Sequence, residues 1–462
     1  MRTIIQNGTV VTESAVFAAD VLVENGVIQA VGKGLDARGA QVIDAAGKYA
    51  RPGGGEGHTH LERPAGAPGG GDDFNTAPGA AAGGGTTTIV DHMAFGPKGC
   101  SLWHQVEEYH RLADGKAVID YGFHGVLQHV NGQILREMGE LADREGITSF
   151  KAYLTYDDRL DDSALFQVLR QAREDGLVIP AHCENDGVVN FLRGWYKSQG
   201  LTAPIYHARS RPAGCEAEAV SRLLHLAALA GEAPVYVVHL SSAAGLAEVR
   251  KARAAGQRHF GVETCTQYLT LTEEAYSDPQ EGLKAIMSPP LRTGADCAAL
   301  WGGLADGSVD AVATDHCPFR FAVEKQYGVG DFTACPNGAP GVEERLPVLY
   351  SEGVAKGRIS LPQLVRLACT EPSRLYGLYP QKGTLQPGAD ADVVILDPNG
   401  TRTLTQTALH SAADYTCYEG MELQGKIDLV LSRGEVIVQD NQFLGRKGAG
   451  RYLKRGRSCL AE

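Results

Sequence analysis

The chain has 462 residues, 43% hydrophobic and 21% charged, a composition that supplies a large buried core and excludes a disordered polymer. Its 57 glycines follow no Gly-X-Y period, so a collagen-like helix is excluded as well. A net charge of −12 speaks against nucleic acid as a partner, and no run approaches the ~20 apolar residues of a membrane span. The opening MRTIIQNGTVV lacks the apolar stretch of a signal peptide, and the ten cysteines form no CxxC pair. Both features point to a reduced, cytoplasmic protein.

In chain order, residues 1–52 read as β structure. Runs rich in β-branched residues, Ile4–Ile5, Thr9–Val11, Val21–Val23 and Val27–Val31, are interrupted by Asn7-Gly8 and Asn25-Gly26, and an Asn-Gly pair between apolar runs predicts a hairpin. From 53 to 382 the texture changes. Eight strand-like runs end at His58–His60, Asp91–His92, Phe123–His124, Lys151, His182, His239, Glu263 and Asp315. Between them lie helical patterns such as SALFQVLRQARED and CEAEAVSRLLHLAALAG, with apolar residues three and four apart. The Gly/Ala/Pro-rich stretches at 65–71 and 79–85 read as a loop and as tight helix packing. Eight strand–helix units predict an α/β fold, a (β/α)8 barrel, with a doubly wound open sheet as the alternative. Residues 383–462 return to β texture at Asp392–Leu396, Leu429–Leu431 and Val436–Val438, so a small β-sandwich domain built from both termini is expected.

The chemistry-bearing residues fall at strand ends, where such a barrel keeps its active site. His58 and His60 are two apart and share one face of a strand. His182 in PAHCEN and His239 in YVVHLSS each close an apolar run, as does Asp315 in VATDHCPF. Lys151 in SFKAYLTY is an amine in an apolar strand; burial favours its neutral form. That leaves open a snorkelling or ion-paired lysine and an amine that adds carbon dioxide to become a carbamate. Four histidines, one lysine and one aspartate would supply nitrogen and oxygen ligands for two divalent ions, zinc best, with manganese, cobalt or iron as options. Water bridging two such ions has its pKa lowered toward ~7.

GHTHLERP, GGGTTTIVDHM, SFKAYLTY, PAHCEN, YVVHLSS, VATDHCPF and KGTLQPGADADVVILDP together resemble the cyclic amidohydrolases, in particular the hydantoinase/dihydropyrimidinase branch, nearly end to end. GGGDDF and CPNGAPGVEER bring the likeness closest to the D-hydantoinases of phenylhydantoinase type. The resemblance implies a barrel plus β-sandwich and two metals bridged by Lys151 as N6-carboxylysine. One metal would be held by His58, His60 and Asp315, the other by His182 and His239. Tyr156 would hydrogen-bond the attacked carbonyl, and Ser288 and Asn337 would hold the cyclic imide. Asp315 would move the proton from the attacking hydroxide to the leaving nitrogen. The substrate implied is a small cyclic amide, a 5-substituted hydantoin opened to an N-carbamoyl amino acid, and the assembly a homotetramer.

Three positions depart from the branch. Glu56 stands where an Asp is usual, Arg63 where an apolar residue such as Met is common, and Ala65 where a bulkier one is. Dihydropyrimidinase differs only in ring size and is the alternative activity. Dihydroorotase would want an arginine where Glu62 stands. A non-catalytic scaffold of the dihydropyrimidinase-related kind is the rival from another class. His92 and His124 read as supporting or core residues, and the basic tail from Arg446 to Arg457 as solvated or subunit-contacting.

Overall fold

A computed structural model describes residues 2–62 and 71–461; Arg63 and Ala65 lie outside the described residues. Eight parallel strands follow the chain in order: Gly54–Glu56, Thr86–His92, Asp120–Val126, Phe150–Tyr153, Ile179–His182, Val235–Val237, Phe260–Cys265 and Ala311–Ala313. A parallel bridge between Thr59 and His316 joins the first to the last. There the His60 N–H donates to His316 O at 2.9 Å and the His316 N–H to His58 O at 3.2 Å. These two bonds close the sheet into a barrel just beyond the strand ends. Every residue of the second and third strands is buried, as covering on both faces demands.

The crossover helices obey local rules. In Asp162–Asp175 the Asp161 carboxylate accepts from the Ala164 N–H, Leu165, Val168, Leu169 and Ala172 form the buried stripe, and Gly176 ends the helix in the left-handed conformation. Ala213–Leu229 realises the CEAEAVSRLLHLAALAG pattern. In the small-residue segment Thr76–Gly83, packing is tight enough that a Cβ on the following Gly84 would lie 2.2 Å from Glu343 O.

Beside the barrel lie two further sheets. The four-stranded one, in the order Val27–Gly32, Asp20–Glu24, Arg2–Gln6 and Gln41–Asp44, is wholly N-terminal. The seven-stranded one joins both ends of the chain: Tyr49–Pro52 pairs antiparallel with Val393–Thr403, which pairs in turn with Glu422–Ser432. Ile5, Val21 and Ile28 from the first sheet pack with Val393, Ile395 and Leu431 from the second in one apolar cluster. Asn25-Gly26, with φ of 50° and 83°, makes the expected hairpin between Asp20–Glu24 and Val27–Gly32.

Asn7-Gly8 does not. Its flanking strands, Arg2–Gln6 and Thr9–Val11, belong to different sheets, so the turn carries the chain from one to the other. Asn7 has φ of 62°, but Gly8 lacks the second positive φ that a tight hairpin turn needs and packs instead against Ala45.

The basic tail also differs from expectation at one position. Arg446, Lys447, Arg451, Lys454 and Arg457 are exposed, but Arg455 is 4% exposed and inserted into its own barrel. Its Nη2 donates to Phe123 O at 2.6 Å and to Ser149 Oγ at 2.9 Å, and its Nη1 to Tyr376 O at 3.3 Å. Nearby, the Leu453 N–H donates to Tyr121 O at 2.7 Å, so the tail runs along the end of the barrel opposite the strand termini. Periodicity cannot distinguish an arginine that seals a barrel from one in water. Arg455→Ala should lower the unfolding free energy by about 2 kcal/mol, because buried acceptors lose a charged donor. A urea midpoint equal to that of the wild type would show that these contacts add nothing.

Candidate metal centre

His58, His60, Lys151, Tyr156, His182, His239, Ser288, Asp315 and Asn337 all line one cavity of about 290 Å³ at the carboxyl ends of the strands. The chain brings them together from segments as far apart as 58 and 337. A strand-end position is what aims each side chain into a common space.

One half of the site is built around His58. Its backbone N–H donates to Glu56 Oε1 at 2.8 Å, and the other Glu56 oxygen pairs with Arg345 Nε at 3.2 Å. The longer carboxylate at position 56 thus orients the main chain. The ring is held by a different residue: Nδ1 pairs with the buried Glu263 carboxylate, which turns Nε2 toward the cavity. Asp315 Oδ1 lies 3.2 Å from His58 Nε2 and 3.0 Å from His60 Nε2. Lys151 Nζ is 3.2 Å from the same His58 nitrogen.

The other half pairs His182 and His239, whose ring centroids are 4.4 Å apart. His182 Nε2 is held at 2.7 Å by Glu184, which also accepts from Arg211 Nη1 at 2.6 Å. His239 Nδ1 is buried without a hydrogen-bond partner. Tyr156, His239 and Asp315 have φ of 77°, 42° and 53°, the left-handed region that costs a non-glycine residue about 1–3 kcal/mol and that gathers at functional sites.

Burial and neighbouring charges shift several of these groups. Burial pulls the imidazoles of His182 and, further, His239 below the usual range, keeping them neutral. Burial would push the Asp315 carboxyl up, but His58 and His60 outweigh it and hold it well below the ordinary value. Burial lowers the Lys151 amine to about 8, nearer to neutral pH than an exposed lysine. Despite burial, Arg211 and His182 bring Glu184 down to about 2. The donor set suits a cation. One ligand atom each from His58, His239 and Asp315 lie within 4.8 Å of one another, and the unpartnered His239 nitrogen is an orphan that a metal would satisfy.

Some supporting residues carry more than their sequence positions suggested. Glu263 had only its place at a strand end; Glu184 sits two residues after His182, a same-face spacing that was legible. Arg211 and Arg345 gave no local signal, since their partners are distant in sequence. His124 hydrogen-bonds Gly57 O at 3.1 Å and Ser149 Oγ at 2.5 Å, a supporting role. His92 stacks on His124 at 4.5 Å, and its ligand atoms cluster with those of His58 and His60, with both ring nitrogens lacking a hydrogen-bond partner.

The residue match now has a structural counterpart. A parallel barrel with imidazoles, an anionic aspartate and a buried amine at the strand ends is the architecture of a metal-dependent hydrolase. The Amidohydrolase family matches residues 49–437, and the chain belongs to that family. It is 49% identical over 456 residues to a D-phenylhydantoinase of Escherichia coli O1:K1 / APEC, covering 98% of each chain. Its fold is similar to that of a dihydropyrimidinase from Brevibacillus agri NCHU1002, with a TM-score of 0.97 and 44% identity over 99% of this chain and 100% of the other. A D-hydantoinase from Bacillus sp. AR9 gives a TM-score of 0.96 at 45% identity, covering 98% and 99%. Among the described residues no helix is long and apolar enough to cross a membrane.

The loop that carries Ser288 is braced by His207, whose buried Nε2 donates to Met287 O at 2.7 Å. Burial, with Arg211 nearby, lowers His207 to about 3. Below its ordinary value of 6.5 the unfolded histidine takes a proton that the folded one refuses. Stability from this group is therefore lost as pH falls from about 6 toward 3, by about 1.4 kcal/mol per pH unit. His207→Gln should flatten the pH dependence of unfolding in that window by one proton. An unchanged slope, measured by urea titrations at pH 6 and pH 4, would refute it.

Proposed function

We propose that this protein opens 5-substituted hydantoins to N-carbamoyl amino acids by metal-dependent hydrolysis. The observation that carries the reading is the convergence of nine residues, Lys151 among them, on one cavity. The 49% identical relative, a D-phenylhydantoinase, supports the substrate class. A second reading, dihydropyrimidinase, uses the same site for a ring one atom larger and is supported by the name of the Brevibacillus structure. The complete donor set argues against a non-catalytic scaffold.

In this proposal His58, His60 and Asp315 would hold one divalent ion and His182 and His239 the other, and Lys151 would be a ligand shared by the two. The neutral Lys151 amine adds carbon dioxide, forming an N–C bond and releasing a proton, and so becomes an anionic two-oxygen ligand. When bound, the ions supply Lewis acidity that polarises the ring carbonyl and lowers the pKa of water. Asp315 accepts the proton of the attacking water and delivers it to the leaving ring nitrogen. Burial raises the Tyr156 phenol above its usual pKa and keeps it protonated, so it donates to the carbonyl oxygen as charge develops there. Ser288 and Asn337 hold the imide from the facing wall. Zinc as the resident metal rests on the nitrogen and oxygen donors, the cytoplasm on ten free cysteines, and the homotetramer on the family resemblance.

Ring opening of hydantoin, 5-phenylhydantoin, dihydrouracil and allantoin with zinc supplied is the direct test. Preference for 5-phenylhydantoin is expected; preference for dihydrouracil would favour the second reading, and no turnover of any ring would end both. Elemental analysis should find two transition-metal ions per chain.

Two variants probe the roles. Asp315→Asn should keep metal content near normal yet lose about 100-fold or more in turnover, because an amide cannot shuttle a proton. Wild-type-like activity would move the base elsewhere. Lys151→Ala should lose both metal and turnover, with partial recovery in acetate or propionate. Two tightly held ions and substantial activity without additive would leave Lys151 a structural lysine.

A further inference from the structure

We propose that Lys325 is a positioning residue for substrate binding, its ammonium tying the loop that carries Ser288 to the loop that carries Asn337. The inference rests on the hydantoinase reading, which gives those two residues their substrate role. Lys325 opens the short 3-10 helix Lys325–Gly328 and is fully buried. Its Nζ donates to Ile286 O at 2.7 Å, two residues before Ser288, and to Pro336 O at 2.9 Å, the residue before Asn337. The same Ile286 carbonyl accepts the Gly338 N–H at 3.0 Å, so two crosslinks tie Ile286 to the residues on either side of Asn337. The cation also lies 5.8 Å from the centroid of the Phe319 ring, which lines the cavity.

A buried ammonium is tolerated only where hydrogen bonds replace its water, so its reach sets the spacing of the carbonyls it holds. A charge-assisted bond to each loop is roughly twice as strong as a neutral one. The metal-ligand candidates sit on or next to the barrel strands and do not depend on this contact. The wall formed by Ser288 and Asn337 does. Loss of the cation releases two carbonyls from a common donor and lets the loops part, which weakens ring binding and leaves the hydrolytic groups in place.

The test is Lys325→Met, which keeps length and removes the donor. With 5-phenylhydantoin and zinc, KM should rise about tenfold while kcat stays within about threefold and two metals per chain are retained. Combined with Asn337→Ala, it should raise KM no further than the larger single effect, because both act through one loop. An unchanged KM, strictly additive KM effects, or a joint fall of kcat and metal content would overturn the positioning role. Should Lys325→Met fail to fold, Lys325→Leu, which also lacks a donor, is read in the same way. If the wild-type protein opens no ring, the hydantoinase reading fails by itself. The clamp is then judged by hydrogen exchange at the Gly338 amide, faster in Lys325→Met if the tie exists and unchanged if it does not.

Discussion

The molecule depends on the seam that closes the barrel. Short first and last strands leave closure to two backbone hydrogen bonds between residues 58–60 and His316. The residues that make this seam are the chemical ones: His58 and His60 on one side, Asp315 next to His316 on the other. Closure and assembly of the site are therefore one event. His316 extends the effect. Its Nδ1 accepts the N–H of Gly341 at 3.1 Å, which leaves Nε2 as the donor to the buried Asp72 carboxylate at 3.1 Å. The Cys317 N–H then donates to Ala339 O at 3.0 Å, which leads the chain back to the Asn337 loop.

Around that seam the interior holds many ionisable groups, and several are matched by a buried partner. Glu263 holds His58, Glu184 is matched by Arg211, and Glu56 is matched by Arg345. Removing one member of such a pair would strand a buried charge, which typically costs 3–5 kcal/mol. Lys151 is different. Desolvation lowers its amine to about 8 although the Asp315 and Glu263 carboxylates favour the cation. The left-handed φ of Tyr156, His239 and Asp315 belongs to the same economy: local strain is held in place by closed packing around it.

The barrel and the flanking sheets are joined by a second buried cluster. Lys382 Nζ donates to Asp120 at 2.6 Å and to Asp392 at 2.9 Å, and Arg433 also pairs with Asp120. Asp120 begins the third barrel strand, whereas Asp392 and Arg433 flank strands of the seven-stranded sheet. At the other end of the barrel, Asp72 accepts from the Ser411 hydroxyl at 2.5 Å and the Ala412 N–H at 2.8 Å. Ionic contacts at one end of the barrel and hydrogen bonds to a buried carboxylate at the other thus fix the flanking segments, and Arg455 of the tail adds a third tie.

Local pattern by itself determined the alternation of strands and helices, the terminal β segments, the Asn25-Gly26 hairpin and the residue types at the strand ends. Those features follow from side-chain periodicity, turn conformation and burial, which act over a few residues. The family resemblance then supplied roles for nine residues. Tertiary structure alone decided that Asn7-Gly8 passes between sheets, that Glu263 rather than Glu56 holds the His58 ring, that Arg455 enters the barrel and that Lys325 joins two loops. Each depends on a partner tens to hundreds of residues away. Sequence spacing specifies which face of a strand a residue occupies, but only chain closure specifies which distant group meets it there, and hydrogen bonds and desolvation are set by that meeting.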